Sequence, residues 1–381
     1  MDSKKKVLIG CGIAFVVLII LIIPMIIFGP FVYRSLYVLF MSYTKLDMPS
    51  ELKTPRVLMG PNFLSKSIFF EDVRLGRITD IIRGKMDSNT GPEIGIAGNE
   101  AAVILDDSLK VISSIVFSAK VSHIDFVDID GDGVCEFMNR GEWCCDAGLF
   151  DHRGNLIWQY SETPGVDDMA AGDIDGDGKL EFAVGLNGDG GVILLDGYGK
   201  RIWREEDGNV WHIEMVDTNG DGNLEIVHSN VEGMMVIRKR DGRIIRKIKT
   251  EIYFSKFSLS RWPARSDHEY AMVPEENAIW LLDFDGKTVV KYRAPICSKW
   301  SDARGTPVRL KNGEPEYFAV IISFIIWERS VLYVYNPDRS LVYQEILPEA
   351  CASITTLSKD DSTKDVLLVG CKGRVFEYKV P

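Results

Sequence analysis

From residue 93 onward, short apolar runs alternate with breaks rich in Gly and Asp. Ile94-Gly95-Ile96-Ala97-Gly98, Phe182-Ala183-Val184-Gly185 and Val366-Leu367-Leu368-Val369-Gly370 are too short for helices and bounded by turn residues, so they read as strands. Each such run follows an acidic residue, namely Glu93, Glu136, Glu181, Glu225, Glu269, Glu316 or Asp365, at steps of 43, 45, 44, 44, 47 and 49. After the anchored strand come a second strand, a turn of the type Asp196-Gly197-Tyr198-Gly199-Lys200, and a third strand, Arg201-Ile202-Trp203. Leu149 to Trp158 and Leu281 to Lys287 repeat the arrangement. About four short strands per period of roughly 44 residues is the signature of a β-propeller blade. The seven anchors therefore predict an all-β, seven-bladed β-propeller over residues 65–381.

The two ends of this region are complementary. Phe70 lies 23 residues before Glu93, as Trp158 does before Glu181 and Ile202 before Glu225, so Phe69-Phe70 occupies the place of an outermost strand. The last repeat reaches Pro381 without a fourth strand. The N-terminal strand is expected to complete the final blade, which removes two open sheet edges.

Three of the breaks carry chemistry. Asp128-Ile129-Asp130-Gly131-Asp132-Gly133-Val134-Cys135-Glu136 recurs as Asp173 to Glu181 and, with Thr218 and Asn219 altered, as Asp217 to Glu225. Oxygen side chains fall at positions one, three, five and nine: Asp128, Asp130, Asp132, Glu136; Asp173, Asp175, Asp177, Glu181; Asp217, Asn219, Asp221, Glu225. With the seventh-position carbonyls of Val134, Lys179 and Asn223, and water, each loop supplies about the 6–8 hard oxygen ligands that Ca²⁺ takes. Solvated acidic turns are the alternative, since Asp-Gly suits tight turns. The loops are shorter than the 12-residue EF-hand loop and are flanked by strands.

The Asp-rich loop, acidic anchor, apolar strand and Asp-x-x-Gly hairpin together resemble the FG-GAP/VCBS family of integrin alpha-like β-propeller repeats. The resemblance covers residues 65–381, and its motif is strongest in the three central repeats. It implies a calcium-stabilised propeller used for extracytoplasmic binding or adhesion, with the loop residues above as ligands.

Ahead of the repeats, Lys4-Lys5-Lys6 precedes residues 7–28, an uncharged stretch rich in Ile, Leu and Val. As a helix it would extend ~33 Å, enough to cross a bilayer core. It is too long for the apolar core of a cleavable signal, and Tyr33, Tyr37, Tyr43, Phe31 and Phe40 follow as an interfacial belt. The expectation is a basic cytoplasmic tail at 1–6, a transmembrane signal anchor at 7–28, a juxtamembrane stalk at 29–64 with Pro49, Pro55 and Pro61, and a propeller outside the cytoplasm, in the periplasm or at the cell surface. Cysteine usage fits either environment. Beyond Cys11 there are Cys135, Cys144, Cys145, Cys297, Cys351 and Cys371, which can form three disulfides or stay buried thiols. A net charge of −11 with no basic cluster argues against a nucleic-acid partner.

Aligned on the anchors, Asp80, His123, Asp168 and His212 each stand 13 residues before an anchor, near the start of an innermost strand. Such residues crowd one mouth of the central channel. As a set they could hold a ligand or transition metal or perform acid–base chemistry, or they could be hydrated polar residues of a channel rim. No phosphate loop, nucleophile elbow or His-Glu-x-x-His motif is present. The leading expectation is a membrane-anchored, Ca²⁺-binding propeller that serves as a binding, adhesion or scaffold module for a protein or glycan. The alternative is a propeller enzyme, a polysaccharide lyase or quinone-type dehydrogenase, with its site at the channel mouth.

Overall fold

The structure is a computed structural model that describes Met48–Pro381 except residues 87–92, 143–145, 164, 263–264, 313–314 and 359–363, and the side chains of 262 and 265–267. The chain divides into residues Met1–Lys53 and Thr54–Pro381. The expected membrane span at 7–28 lies outside the described residues. Among the described residues no helix is long and apolar enough to cross a membrane.

Residues from Thr54 onward fold into seven antiparallel sheets, the blades of a propeller. Blade 1 is Ile78–Gly84, Glu93–Gly98, Ala101–Leu105 and Val111–Val116; blade 2 is Ile124–Val127, Glu136–Asn139, Ala147–Phe150 and Leu156–Tyr160. Blade 3 is Val166–Gly172, Glu181–Leu186, Gly191–Leu195 and Arg201–Glu205; blade 4 is Ile213–Val216, Glu225–Ser229, Met235–Arg238 and Ile244–Ile248. Blade 5 is Ser258–Trp262, Arg265–Glu275, Ala278–Leu282 and Thr288–Arg293; blade 6 is Asp302–Val308, Tyr317–Phe324, Arg329–Tyr335 and Leu341–Leu347. Blade 7 has Ser353–Ser358, Asp365–Gly370 and Arg374–Lys379 from the C-terminus. Every acidic anchor stands at, beside or within the second strand of its blade, as the period required.

The fourth strand of blade 7 is Ser65–Glu71, which pairs with Arg374–Lys379 from Ser65↔Lys379 to Glu71↔Arg374. The ring therefore closes by joining the two ends of the repeat region. A feature absent from the repeat pattern is Arg56–Met59. It adds a fifth strand to blade 6, with Arg56 opposite Ile346, so the propeller begins within the expected stalk.

Blades are held together by apolar clusters between their faces. Between blades 2 and 3, Met138, Leu149 and Trp158 pack with Met169, Phe182 and Val184. The outer-strand tryptophans grip the next blade's hairpin: Trp158 Nε1 donates to the Gly197 carbonyl at 3.1 Å, and Trp203 Nε1 to the Arg240 carbonyl at 2.7 Å. These hairpins need their glycine twice over. Gly199 has φ +75°, and a Cβ there would lie 2.7 Å from the Trp158 ring.

One disulfide, Cys351–Cys371, is present among the described residues. Blade 7 pairs Ser353 with Gly370, which brings the two cysteines flanking that pair together. Cys135 and Cys297 are free thiols, and Cys144 and Cys145 lie outside the described residues.

Candidate functional site

Each innermost strand bonds only one neighbour within its own blade, so its channel-side backbone groups need partners elsewhere. The preceding blade's side chains supply several. Asp80 Oδ2 accepts from Phe126 N at 3.0 Å, and Asp168 Oδ2 accepts from Ile213 N at 3.0 Å, each about one repeat away. Thr79 Oγ1 donates to the Ile124 carbonyl at 2.7 Å and accepts from Ile124 N at 3.1 Å. Two of the four residues singled out in sequence are thus inter-blade fasteners.

The same end of the channel holds a buried charge network. Arg140 follows the second strand of blade 2. Its Nε lies 2.6 Å from Asp168 Oδ1, its Nη2 2.9 Å from Glu214 Oε1, and its Nη1 3.3 Å from Asp125 Oδ2, linking blades 2, 3 and 4. His212 Nδ1 is 2.6 Å from Asp168 Oδ2 and its Nε2 3.2 Å from Glu214 Oε1. His123 Nδ1 is 3.1 Å from Glu142 Oε1, and Arg77 Nη2 holds the other oxygen of Glu142 at 2.7 Å. His123 Nε2 stands 3.3 Å from Asp125 Oδ1 and 2.8 Å from Arg304 Nη2, so a blade 6 side chain reaches blade 2. Lys256 and Asp302 pair at 2.6 Å between blades 5 and 6.

Titration follows from these contacts. Burial opposes the charge of Asp168, but Arg140 and His212 outweigh it and hold the carboxyl far below its usual range. Burial likewise opposes protonation of both histidines. Asp125 and Glu142 outweigh it at His123, and Asp168 and Glu214 at His212, so both are raised. Asp80 moves the other way, raised by burial and then by the nearby Asp125. Burial pushes neighbouring Asp167 up to about 7; its Oδ2 accepts from Asn209 at 3.1 Å while its Oδ1 has no partner.

His123, Asp168 and His212 therefore share one network, with Asp80 bonded to backbone amides beside it, but not as a converging ligand set. Guanidinium groups stand against the carboxylates and the His123 imidazole, and neither histidine belongs to a cluster with metal-binding spacing among the described residues. Sequence reasoning missed Asp125, Glu214, Arg304 and Arg140. The first two stand two residues after His123 and His212, on the same strand face, a period-two signal that was available.

At the opposite end of the innermost strands lie the acidic loops. Side-chain oxygens of Asp128, Asp130 and Asp132 lie within 4.8 Å of one another, as do those of Asp173, Asp175 and Asp177. All three loops share one conformation: Asp128, Asp173 and Asp217 each accept from the glycine amides three and five residues on, at 2.7–2.9 Å. The glycines have φ between +74° and +86° with nothing within 4 Å of a built Cβ, so backbone conformation and not space demands them. Glu136, Glu181 and Glu225 do not point away. Each Oε2 accepts from the loop's second amide, Ile129 at 3.2 Å, Ile174 at 3.3 Å or Thr218 at 3.0 Å. Burial, with Asp130, Asp132 and Asp128 adding repulsion, pushes Glu136 up to about 7, and Glu181 is raised by burial and Asp175. Converging hard oxygens whose negative charges repel one another fit an oxygen-ligated cation such as Ca²⁺.

On this same end, blades 5, 6 and 7 enclose a polar cleft of about 390 Å³. It is lined by Ser260, Thr306, Thr356 and Ser358 and by the anchors Glu269, Glu316 and Asp365. Arg309 pairs with Asp365 at 3.2 Å across the blade 6–7 boundary, and Arg261 lies 3.6 Å from Glu269.

No protein-family profile matches the chain, and no curated protein matches it in sequence. Solved structures do. A crystal structure of BBS1N in complex with ARL6DN is similar at TM-score 0.56 and 13% identity, over 83% of this chain and 97% of that one. The Pan2 WD40 domain of Neurospora crassa is similar at TM-score 0.50 and 11% identity, over 86% and 96%. Identities this low establish the fold alone, and the fold they establish is the propeller.

Proposed function

We propose that the protein is a membrane-anchored, Ca²⁺-stabilised propeller of the FG-GAP/VCBS type that acts outside the cytoplasm as a binding or scaffold module for a protein or glycan. The observation that carries this reading is the contrast between the two ends of the channel. One end carries buried ion pairs that join blades 2, 3 and 4 and reach blade 6. The other has acidic loops on blades 2 to 4 and an open polar cleft on blades 5 to 7. Buried polar networks fasten blades, whereas a concavity with convergent polar groups has the parts that fix a ligand's orientation. The loops at Asp128, Asp173 and Asp217 would hold the cation, which fixes that face for a partner. The 7–28 stretch supplies the anchor, and the Cys351–Cys371 bridge suits an oxidising compartment. A binding role is consistent with one propeller neighbour, BBS1N, which is described in complex with ARL6DN.

The test is binding of the purified full chain to a glycan array and to envelope proteins with Ca²⁺ or EDTA. Glu316→Ala and Arg309→Ala should weaken binding, whereas His123→Ala and His212→Ala should leave it intact. Turnover of any glycan or alcohol that the histidine variants abolish would establish the enzyme reading instead.

A further inference from the structure

The chain's net charge of −11 conceals one strongly cationic stretch. Residues 238–250 comprise the end of blade 4's third strand, its hairpin and its outer strand, Ile244–Ile248. They hold seven Lys and Arg and a single carboxylate, Asp241. Equivalent stretches of blades 1, 2, 3, 5 and 6 hold at most three cations each. Four carboxylates answer the blade 4 run. Asp207 pairs with the buried Arg238 and with Lys247, each at 3.0 Å, and Asp175 pairs with Arg240 at 2.5 Å. Asp241 pairs with Arg243 at 2.7 Å, and Asp285 pairs with Arg246. Lys239 and Lys249 are exposed and make no ion pair among the described residues. The stretch therefore keeps a positive surplus over its partners.

Ile244–Ile248 is also the open edge of its sheet. It pairs with Met235–Arg238 on one side, and no described strand pairs with the other. Its free backbone groups are a template for a further strand. Blade 6 shows that this ring accepts one. There Arg56–Met59 joins the outer edge with all four side chains exposed, so backbone pairing and not side-chain burial holds it. Charges on edge strands also keep like edges apart, but the other blades manage with far fewer. The excess on blade 4 repels a cationic strand and favours an acidic one. From Arg243 to Lys249 the edge reads cation, two isoleucines, two cations, isoleucine, cation, and Ile244 and Ile245 are 42% and 41% exposed. An added strand with carboxylates opposite the cations and apolar side chains opposite the isoleucines gains a cross-strand contact at each position. No aromatic residue lies within the stretch for a nucleic-acid base to stack on.

We propose that the outer edge of blade 4 binds an extended acidic segment of a partner protein, added as a fifth strand beside Ile244–Ile248. This surface uses neither the polar cleft nor the channel network, and it stands independently of the anchor and of the cation.

The probe is a fluorescein-labelled peptide, Glu-Val-Glu-Glu-Val-Val-Glu, which matches Lys249 back to Arg243 in an antiparallel pairing. Its anisotropy is read against the purified full chain. Wild type should bind it. Arg243→Glu/Lys249→Glu, at exposed positions with no ion pair to another blade, should weaken binding about tenfold or more. Lys200→Glu/Lys287→Glu, on the hairpins of blades 3 and 5, should leave it within about twofold. The same peptide methylated on every backbone amide cannot pair as a strand and should lose binding by a similar factor to the blade 4 variant. Absence of binding by wild type overturns the proposal. Equal loss in both double variants overturns it as a diffuse attraction, and undiminished binding of the methylated peptide overturns the strand pairing on which it depends. Tighter binding of dextran sulfate than of the peptide also overturns it, by assigning these cations to an anionic glycan.

Discussion

Replacing Arg140 by Met tests whether the channel network fastens the ring. The guanidinium is buried and contacts three carboxylates, Asp168, Glu214 and Asp125, from three blades. Met keeps most of the volume and removes the charge, leaving those carboxylates to face one another with His212 beside Asp168 and Glu214 and His123 beside Asp125 as the nearest cations. Removing one partner of a buried pair costs about 3–5 kcal/mol, mostly because the other charge remains buried. At roughly 2.1 cal/mol/K of unfolding entropy per residue, a propeller of about 330 residues loses ~0.7 kcal/mol for each kelvin, so a loss of ~4 kcal/mol lowers Tm by about 6 °C. Calorimetry of wild type, Arg140→Met and Arg246→Met provides the comparison. Arg246 pairs with Asp285 at the solvent-exposed outer edge, where a pair contributes at most ~1 kcal/mol. The double variant Arg140→Met/Asp168→Asn should recover part of the loss, since it removes one of the stranded charges. If Arg140→Met melts within ~1 °C of wild type, or no lower than Arg246→Met, the network does not hold the blades and the channel must be reconsidered as a ligand site.

Calcium should raise Tm relative to EDTA, and Asp130→Ala or Asp175→Ala should reduce that rise by removing a ligand that acts only in the folded state; equal Ca²⁺ shifts in all three proteins would leave the loops as plain turns. Reduction of Cys351–Cys371, 20 residues apart, should cost about 3 kcal/mol by the loop-entropy relation, read as a Tm drop with a phosphine reductant that Cys351→Ala/Cys371→Ala does not show. Stability should fall as pH rises from about 6.5, the unfolded histidine value, through the raised values of His123 and His212, because a raised folded pKa stabilises only while the proton is held. Buried Asp167, near 7 when folded, adds to that decline between about 4 and 7. Denaturant titrations of wild type and His212→Gln from pH 5 to 9 measure this, and an unchanged slope in the variant would remove His212 from the account.

The fold was legible because a propeller repeats one solution. Anchors such as Glu181 and Glu225 recur at a near-constant step since each opens a second strand after a loop of similar length. The displaced Phe69-Phe70 announced ring closure for the same reason. Arg56–Met59 was hidden because it belongs to no repeat. It is short, lies between Pro55 and Pro61, and its side chains are exposed, so it lacks the apolar alternation of a half-buried strand. What makes it a strand is the unpaired edge of Leu341–Leu347, which exists only after blade 6 has formed.

The candidate site was legible in position and opaque in role, for a reason specific to rings. Spacing from the anchors placed Asp80, His123, Asp168 and His212 at one end of the channel, and that is where they lie. Whether such residues bind a ligand depends on what the neighbouring blades aim at them, and no repeat-based alignment contains that information. Arg304 reaches His123 from 181 residues away, and Arg140 meets Glu214 across two blade boundaries. The same logic runs in reverse at the opposite end. In blades 5 to 7 the Asp-rich loops are lost but the anchors Glu269, Glu316 and Asp365 remain, and without a crowding acidic loop they line a cleft with Ser and Thr residues. Degeneration of the repeat, which in sequence looks like fading signal, is what leaves the cleft open. On the function proposed above, the blades that match the motif best would hold cations, and those that match it worst would hold the partner.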